Sequence, residues 1–151
     1  MDERSRRDKR GESPVLTDNE PKRTGHAMET VAVVIPTLNE ERSIGKVIDD
    51  VPVADLLTNG LETVVYVIDG RSTDNTREIA VEKGATIILE ELEGKGSAIR
   101  TAFKSIRADY AIMVDGDDTY PIEMATEMTR LLKNYDVVIG SRLRVPLSRG
   151  Q

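Results

Sequence analysis

The turn Asp115-Gly116-Asp117-Asp118 places three carboxylates in four residues, directly behind the apolar run Tyr110-Ala111-Ile112-Met113-Val114. Carboxylates this close repel one another unless protons or a cation neutralise them, and Mg²⁺ or Mn²⁺ shared with a diphosphate is the usual remedy. Gly116 leaves space for a ligand to approach the backbone. The plainer alternative is an acidic turn whose aspartates cap the helix that follows. Lys95 stands between Gly94 and Gly96 ahead of a helical segment, where an ammonium and backbone N–H groups can meet a phosphate. The loop is not a Walker A sequence, and Ile99 occupies the position of the last glycine in G-x-G-x-x-G; a simple connection is its alternative. Arg142 follows Gly140-Ser141 and offers a fork of donors, or merely a solvated side chain. Asn39-Glu40, and Asp69 with Ser72 and Asp74, are residues that cap helices or close turns as readily as they bind ligands. His26 is the only histidine and there is no cysteine, so any metal chemistry rests on oxygen ligands.

These residues share a position relative to the elements that must carry them. From residue 31 onward, short β-branched runs alternate with segments of helical period, the pattern of a parallel sheet covered by helices. Strands are expected at Val31–Ile35, Val64–Ile68, Ala85–Leu89, Tyr110–Val114 and Asp136–Ile139. Between them, Ile44, Val47, Ile48 and Val51 form one helix face, and Ile79 and Ala80 point inward from a second helix closed by Lys83-Gly84. Ala98, Ile99, Ala102, Phe103 and Ile106 form a third stripe. Met124, Ala125, Met128, Leu131 and Leu132 form a fourth, on a helix starting near Pro121. The expected fold is α/β, a Rossmann-like, open and mainly parallel sheet with helices on both faces. In such sheets ligands gather outside the carboxyl ends of the strands, where Pro36-Thr37-Leu38-Asn39-Glu40, Asp69 to Asp74, Glu93 to Gly96, the acidic turn and Gly140 to Arg142 all fall.

Composition narrows the alternatives. The chain has 151 residues and a net charge of −6, which suits one domain and one core. The acidic balance, one Phe and four Tyr argue against nucleic acid as a partner. The absence of cysteine sits comfortably with a reducing cytoplasm. No apolar run reaches the roughly 18–20 residues that span a bilayer, and no apolar core follows the charged N-terminus. Residues 1–29 are too polar to bury a core and are expected to be a disordered tail ahead of a domain over 30–151. The tail's cluster Arg4, Arg6, Arg7, Lys9 and Arg10 is interleaved with Asp2, Glu3 and Asp8, so a solvated tail is expected, with contact to anionic headgroups at the cytoplasmic face of a membrane as the alternative.

Taken together, VVIPTLNEE, VIDGRSTDNT, EGKGSAIRTAF, YAIMVDGDDTYP and VVIGSR resemble, in order and spacing, the nucleotide-sugar half of family 2 glycosyltransferases with the GT-A fold. Within that family the chain looks most like the dolichyl-phosphate mannose and glucose synthase group. The resemblance implies a UDP-glucose or GDP-mannose type of donor, a polyprenyl or dolichyl phosphate acceptor, and Mg²⁺ or Mn²⁺ as cofactor. It implies that Pro36, Thr37, Asn39 and Glu40 border the nucleoside, that Asp69 lies beside it, and that Lys95, Gly116 and Arg142 sit near the phosphates. Asp115 and Asp117 become the D-x-D pair that holds the metal. No general base is identified, and a phosphate acceptor, with a second pKa of about 6, is already largely ionised at pH 7 and needs none. Many relatives carry a second aspartate where this chain has Gly70, which leaves the base preference open. The family continues beyond G-S-R into an acceptor-binding half, so the expectation is a shortened donor-binding half, with a partner chain as one way to cover its last strand.

Two other readings compete. Asp115-x-Asp117-x-Thr119 fits the D-x-D-x-T opening of haloacid-dehalogenase-type phosphatases, in which the first aspartate is a nucleophile. That family places the motif on an early strand, whereas here four expected strands end at or before it. A non-catalytic module that binds nucleotide or a partner chain is the second.

Overall fold

The computed structural model describes residues 28–91 and 94–141, Lys95 by its backbone alone. The expected tail before residue 28, Glu93 and Arg142 therefore lie outside the described residues. The elements run β1 (Glu29–Thr37), α1 (Ile44–Asp49), α2 (Val53–Thr58), β2 (Leu61–Asp69), α3 (Thr76–Glu82), β3 (Thr86–Leu89), α4 (Lys95–Ser105), β4 (Tyr110–Met113), a single 3-10 turn (Ile122–Met124) and α5 (Ala125–Leu131). The strands form one sheet in the order β3-β2-β1-β4, and every pairing is parallel. No described helix is long and apolar enough to cross a membrane.

β1 is central, and its β-branched run is buried on both faces, as a parallel interior strand requires. Val31, Val33 and Ile35 point to one side, where they join Ile44, Val47, Ile48, Leu56, Val67 and Ala125 in the main core. Ala32 and Val34 point to the other, where Ile68, Ala98 and Ala102 complete a smaller core under α4. Alternation along one strand thus feeds two helical layers. Thr37 stands opposite Asp69 in the β1–β2 register, and Asp69 opposite Leu89 in the next, so three strands finish at one level and their loops emerge side by side.

Four expectations are corrected. Asp136–Ile139 is not a strand: β4 pairs with β1 alone, and Val137 and Ile139 stand 72% and 83% exposed. β-branched propensity does not make a strand without a partner ladder. Phe103, expected inward, is 70% exposed. α4 seats Ala98 and Ala102 on the sheet, and Phe103 lies a further ~100° around the helix, beyond the contact stripe. The last helix buries Ile122, Ala125 and Thr129, while Met124 and Leu131 are exposed. Its opening 3-10 turn shifts the phase of the inward face. Finally, α2 was not anticipated; Pro52 at its start and Asn59-Gly60 at its end, with Gly60 at φ +83°, mark it. At six residues it is too short to show a period, yet its Leu56 is fully buried.

Candidate functional site

A cleft of about 880 Å³ opens across the carboxyl ends of the strands. Its walls include Pro36 and Thr37 at the end of β1, Leu38 and Glu40 after it, Gly70 and Arg71 after β2, Glu90 after β3, and Asp115, Gly116 and Asp117 after β4. Gly94 and Ala98 close it from the α4 side. Of the residues expected at the site, Pro36, Thr37, Glu40, Asp115, Gly116 and Asp117 are therefore brought together.

Asn39 and Asp69 are not among the lining residues; they build the cleft from behind. Asn39 sits in the left-handed region at φ +57°, a conformation its short polar side chain tolerates. Its N–H donates to Ser72 Oγ at 2.9 Å, and its Oδ1 accepts the Thr73 N–H at 2.8 Å. The same two loops are joined by the Glu40 N–H on Thr76 Oγ1 (2.8 Å), the Glu41 N–H on Asp74 Oδ2 (3.1 Å) and the Asn75 N–H on Glu41 Oε2 (3.2 Å). Asp69 is fully buried. Its Oδ2 accepts the N–H groups of Arg71 (3.1 Å) and Ser72 (3.0 Å), with Arg77 Nε at 3.8 Å. Partial desolvation works to raise the pKa of Asp74. The hydroxyl and N–H of Thr76 and the N–H of Glu41 outweigh it and hold the carboxyl below its ordinary value.

The acidic turn divides its three carboxylates. Asp115 and Asp117 line the cleft. Asp117 Oδ1 also accepts the N–H (3.1 Å) and hydroxyl (2.6 Å) of Thr119, which fixes the turn. Asp118, at φ +60°, is paired at 2.8 Å with Lys46 Nζ, which also reaches Asp50 at 2.7 Å. The hydrogen bonds to Asp118 and Asp50 raise the Lys46 pKa above its ordinary value. One of the three carboxylates is thus taken by α1, and the other two line the cleft. Gly116 is a packing requirement as well as an opening, since a Cβ there would lie 2.7 Å from Thr37 Cγ2.

Among the described residues, Thr37 Oγ1, on the wall of the cleft, and Asp69 Oδ1, behind it, are buried oxygens with no hydrogen-bond partner. Buried polar atoms are rarely left so, and a polyhydroxylated ligand in the cleft would supply a partner to Thr37 Oγ1. Among the described residues no cluster of three metal-ligating side chains exists. A pair of aspartates suits a small hard cation that completes its coordination with substrate phosphate and water. Arg71, Leu38 and Glu90 were not foreseen as site residues. Glu90 left a signal, being an acid at the end of an apolar run just as Asp69 and Asp115 are; Arg71 and Leu38 left only their place in the strand-end loops.

Comparison with known proteins agrees with this geometry. Residues 32–151 match the family model described as glycosyl transferase family 2. The chain belongs to glycosyl transferase family 2. Protein RfbJ of Shigella flexneri is 44% identical over 114 residues, covering 74% of this chain and 84% of that protein. A dolichyl-phosphate hexose transferase of Haloferax volcanii is 40% identical over 121 residues, covering 80% of this chain and 51% of the relative. Among solved structures, glucosyl-3-phosphoglycerate synthase from Mycobacterium tuberculosis, in complex with Mn²⁺, UDP and glucosyl-3-phosphoglycerate, superposes with a TM-score of 0.58 at 30% identity. That match covers 69% of this chain and 39% of the enzyme. The chain therefore spans about half the length of the transferase and less of the synthase. Membership in this family supersedes the phosphatase reading of the Asp115-x-Asp117-x-Thr119 motif.

Proposed function

We propose that the cleft binds a nucleoside-diphosphate hexose together with a divalent cation, as the donor side of hexosyl transfer to a polyprenyl phosphate. The observation that carries this reading is the convergence of Thr37, Glu40, Asp115 and Asp117 on one cleft at the strand ends. UDP and Mn²⁺ in the solved relative support a uridine donor and a metal, and the name of the Haloferax volcanii transferase supports a dolichyl-type phosphate acceptor.

In this reading Asp115 and Asp117 hold the cation against the donor diphosphate. When bound, the cation supplies Lewis-acid stabilisation of the charge that accumulates on the leaving nucleoside diphosphate. The chain's own residues orient and select. Pro36 and Glu40 border the nucleoside, the Thr37 hydroxyl offers a partner to a sugar or ribose hydroxyl, and Gly116 lets the diphosphate approach the backbone. Behind them Asp69 and Asn39 fix the β2–α3 and β1–α1 loops and position rather than touch the donor. Lys95, at the start of α4, and Arg142 are assigned to the phosphates. In the transfer an acceptor phosphate oxygen forms a bond to the anomeric carbon as the bond from that carbon to the diphosphate breaks. The ionised acceptor has no proton to surrender, so the chain needs no strong base.

Calorimetric titration with UDP-glucose and with GDP-mannose, each with and without Mn²⁺, tests the donor site. Metal-dependent binding of one donor, lost in an Asp115→Asn, Asp117→Asn double variant, is expected. A folded chain that binds neither donor overturns the reading. Adding a short polyprenyl phosphate then separates transfer, which releases nucleoside diphosphate, from donor capture alone.

A further inference from the structure

Arg71 carries an exposed side chain on the wall of the cleft. Its backbone is held at φ +70°, a region in which a long side chain is uncommon and glycine is the ordinary occupant. Asp69 Oδ2 secures that conformation through the Arg71 and Ser72 N–H groups. Neighbouring cations are engaged: Arg77 lies by Asp69 and Lys46 bridges Asp50 and Asp118. Among the described residues, the Arg71 guanidinium makes no ion pair or hydrogen bond. An arginine at a glycine-type position, displayed in a cleft without a partner, is an outlier that points to a ligand.

The order of the strands says which part of the ligand. β4 carries Asp115 and Asp117, and β2 lies two places away in the sheet, a lateral distance of roughly 10 Å at the usual strand spacing. Resting on the donor reading above, the diphosphate is fixed at the β4 end, and the ribose carries the base toward β2 and β3. Among the described residues the cleft has no aromatic side chain on its wall. A base in this cleft therefore lacks the usual ring on which to stack. Leu38 lines the cleft and is 58% exposed; a Cβ built at Gly70 would lie 3.9 Å from its Cβ, which puts this apolar side chain beside the loop that displays Arg71. Planar, delocalised and weakly hydrated, a guanidinium stacks on π-faces, and proteins use arginine planes in this way to hold unstacked bases. We propose that Arg71 is a base-binding residue: its guanidinium lies against the face of the donor nucleobase, with Leu38 as its apolar neighbour, and takes the place of an aromatic stacking platform.

Binding of UDP, GDP and inorganic pyrophosphate, each with Mg²⁺, to the wild-type chain and to Arg71→Gly and Arg71→Lys distinguishes this from a phosphate contact. Glycine fits φ +70°, so Arg71→Gly should melt no lower than the wild type. Its affinity for the preferred nucleoside diphosphate should fall about tenfold, with pyrophosphate unchanged. Arg71→Lys keeps the charge and loses the plane, so it should fall with the glycine variant. If pyrophosphate weakens as much as the nucleotide and lysine restores both, Arg71 is a phosphate contact and the stacking assignment is overturned. Unchanged nucleotide affinity in Arg71→Gly overturns it as well. Failure of the wild type to bind any of the three ligands overturns the donor site itself, and the Arg71 assignment with it.

Discussion

The two sides of the cleft are built on different principles. On the β2 side, the loops after β1 and β2 are tied to each other by Asn39, Glu40 and Glu41 meeting Ser72, Thr73, Asp74, Asn75 and Thr76. The side chains there satisfy backbone donors of the neighbouring loop, so the wall is formed before any ligand arrives. On the β4 side, the acidic turn is steadied by Thr119 and Lys46, and two carboxylates are directed to the cleft. That arrangement suits a cation. A recognition surface for the nucleoside can be rigid because its ligand is neutral and of fixed shape. In the reading proposed above, the acidic side would meet a cation and a diphosphate, whose charge is concentrated.

Removing the charge should have the largest effect. Asp115→Asn with Asp117→Asn should abolish metal-dependent donor binding, a loss of at least about a hundredfold. A protein that still bound donor with Mn²⁺ would show that the acidic side is not the metal side.

The contact between the two sides comes next. Gly116→Ala places a methyl 2.7 Å from Thr37 Cγ2, an overlap that should cost about 1–3 kcal/mol in denaturant unfolding. Thr37→Ser removes that methyl and should recover most of the loss in the double variant; independent, additive effects would mean that the two loops do not press on each other.

Within the preformed side, Asn39→Ala loses an acceptor for the Thr73 N–H and forces alanine into φ +57°. We expect about 1–2 kcal/mol of destabilisation. Asn39→Gly repairs the backbone but not the hydrogen bond, so it should fall between the two. The order wild type, glycine, alanine is the readout.

The smallest effect concerns pH. The folded pKa of Asp74 is depressed below its ordinary 3.8, so its contribution to stability is present above that value and is lost as pH falls through the lower folded value. Asp74→Asn should therefore lower stability modestly at pH 7, where the contribution is present, and flatten the acid limb of the stability curve between about pH 4 and the folded pKa. An identical acid limb in both proteins would mean that the Thr76 and Glu41 hydrogen bonds do not persist in solution.

The parallel α/β plan, the four paired strands and the place of the acidic turn at the strand ends were legible in the residues. Period and composition act locally: alternating burial along Val31–Ile35, the face Ile44, Val47, Ile48 and Val51, and carboxylates crowded behind an apolar run each speak within a few positions. What escaped was decided at a distance. Val137 and Ile139 have the side chains of a strand, but hydrogen-bonding partners make a strand. Phe103 has the side chain of a core residue, but the stripe of α4 that meets the sheet is set by Ala98 and Ala102. Asn39 and Asp69 are of types that bind ligands or close turns, and only the neighbouring loop shows that Asn39 Oδ1 and Asp69 Oδ2 accept backbone N–H groups there. Arg71 shows the same limit in reverse. Its type and its place in a polar loop say nothing, and its significance comes from a left-handed backbone fixed by Asp69 and from a cleft wall without aromatic rings.

The sequence by itself determined the four paired strands, the helices other than α2, and where charge is concentrated, because propensity, period and like-charge repulsion operate over a few residues. Only the tertiary structure decided which side chains face the cleft, which acid of the turn is taken by Lys46, 72 residues away in sequence, and which polar groups remain for a ligand. The physical reason is that hydrogen bonds and ion pairs are exclusive: a donor spent on a neighbouring loop is not available to a substrate, and that allocation exists only once the loops are side by side.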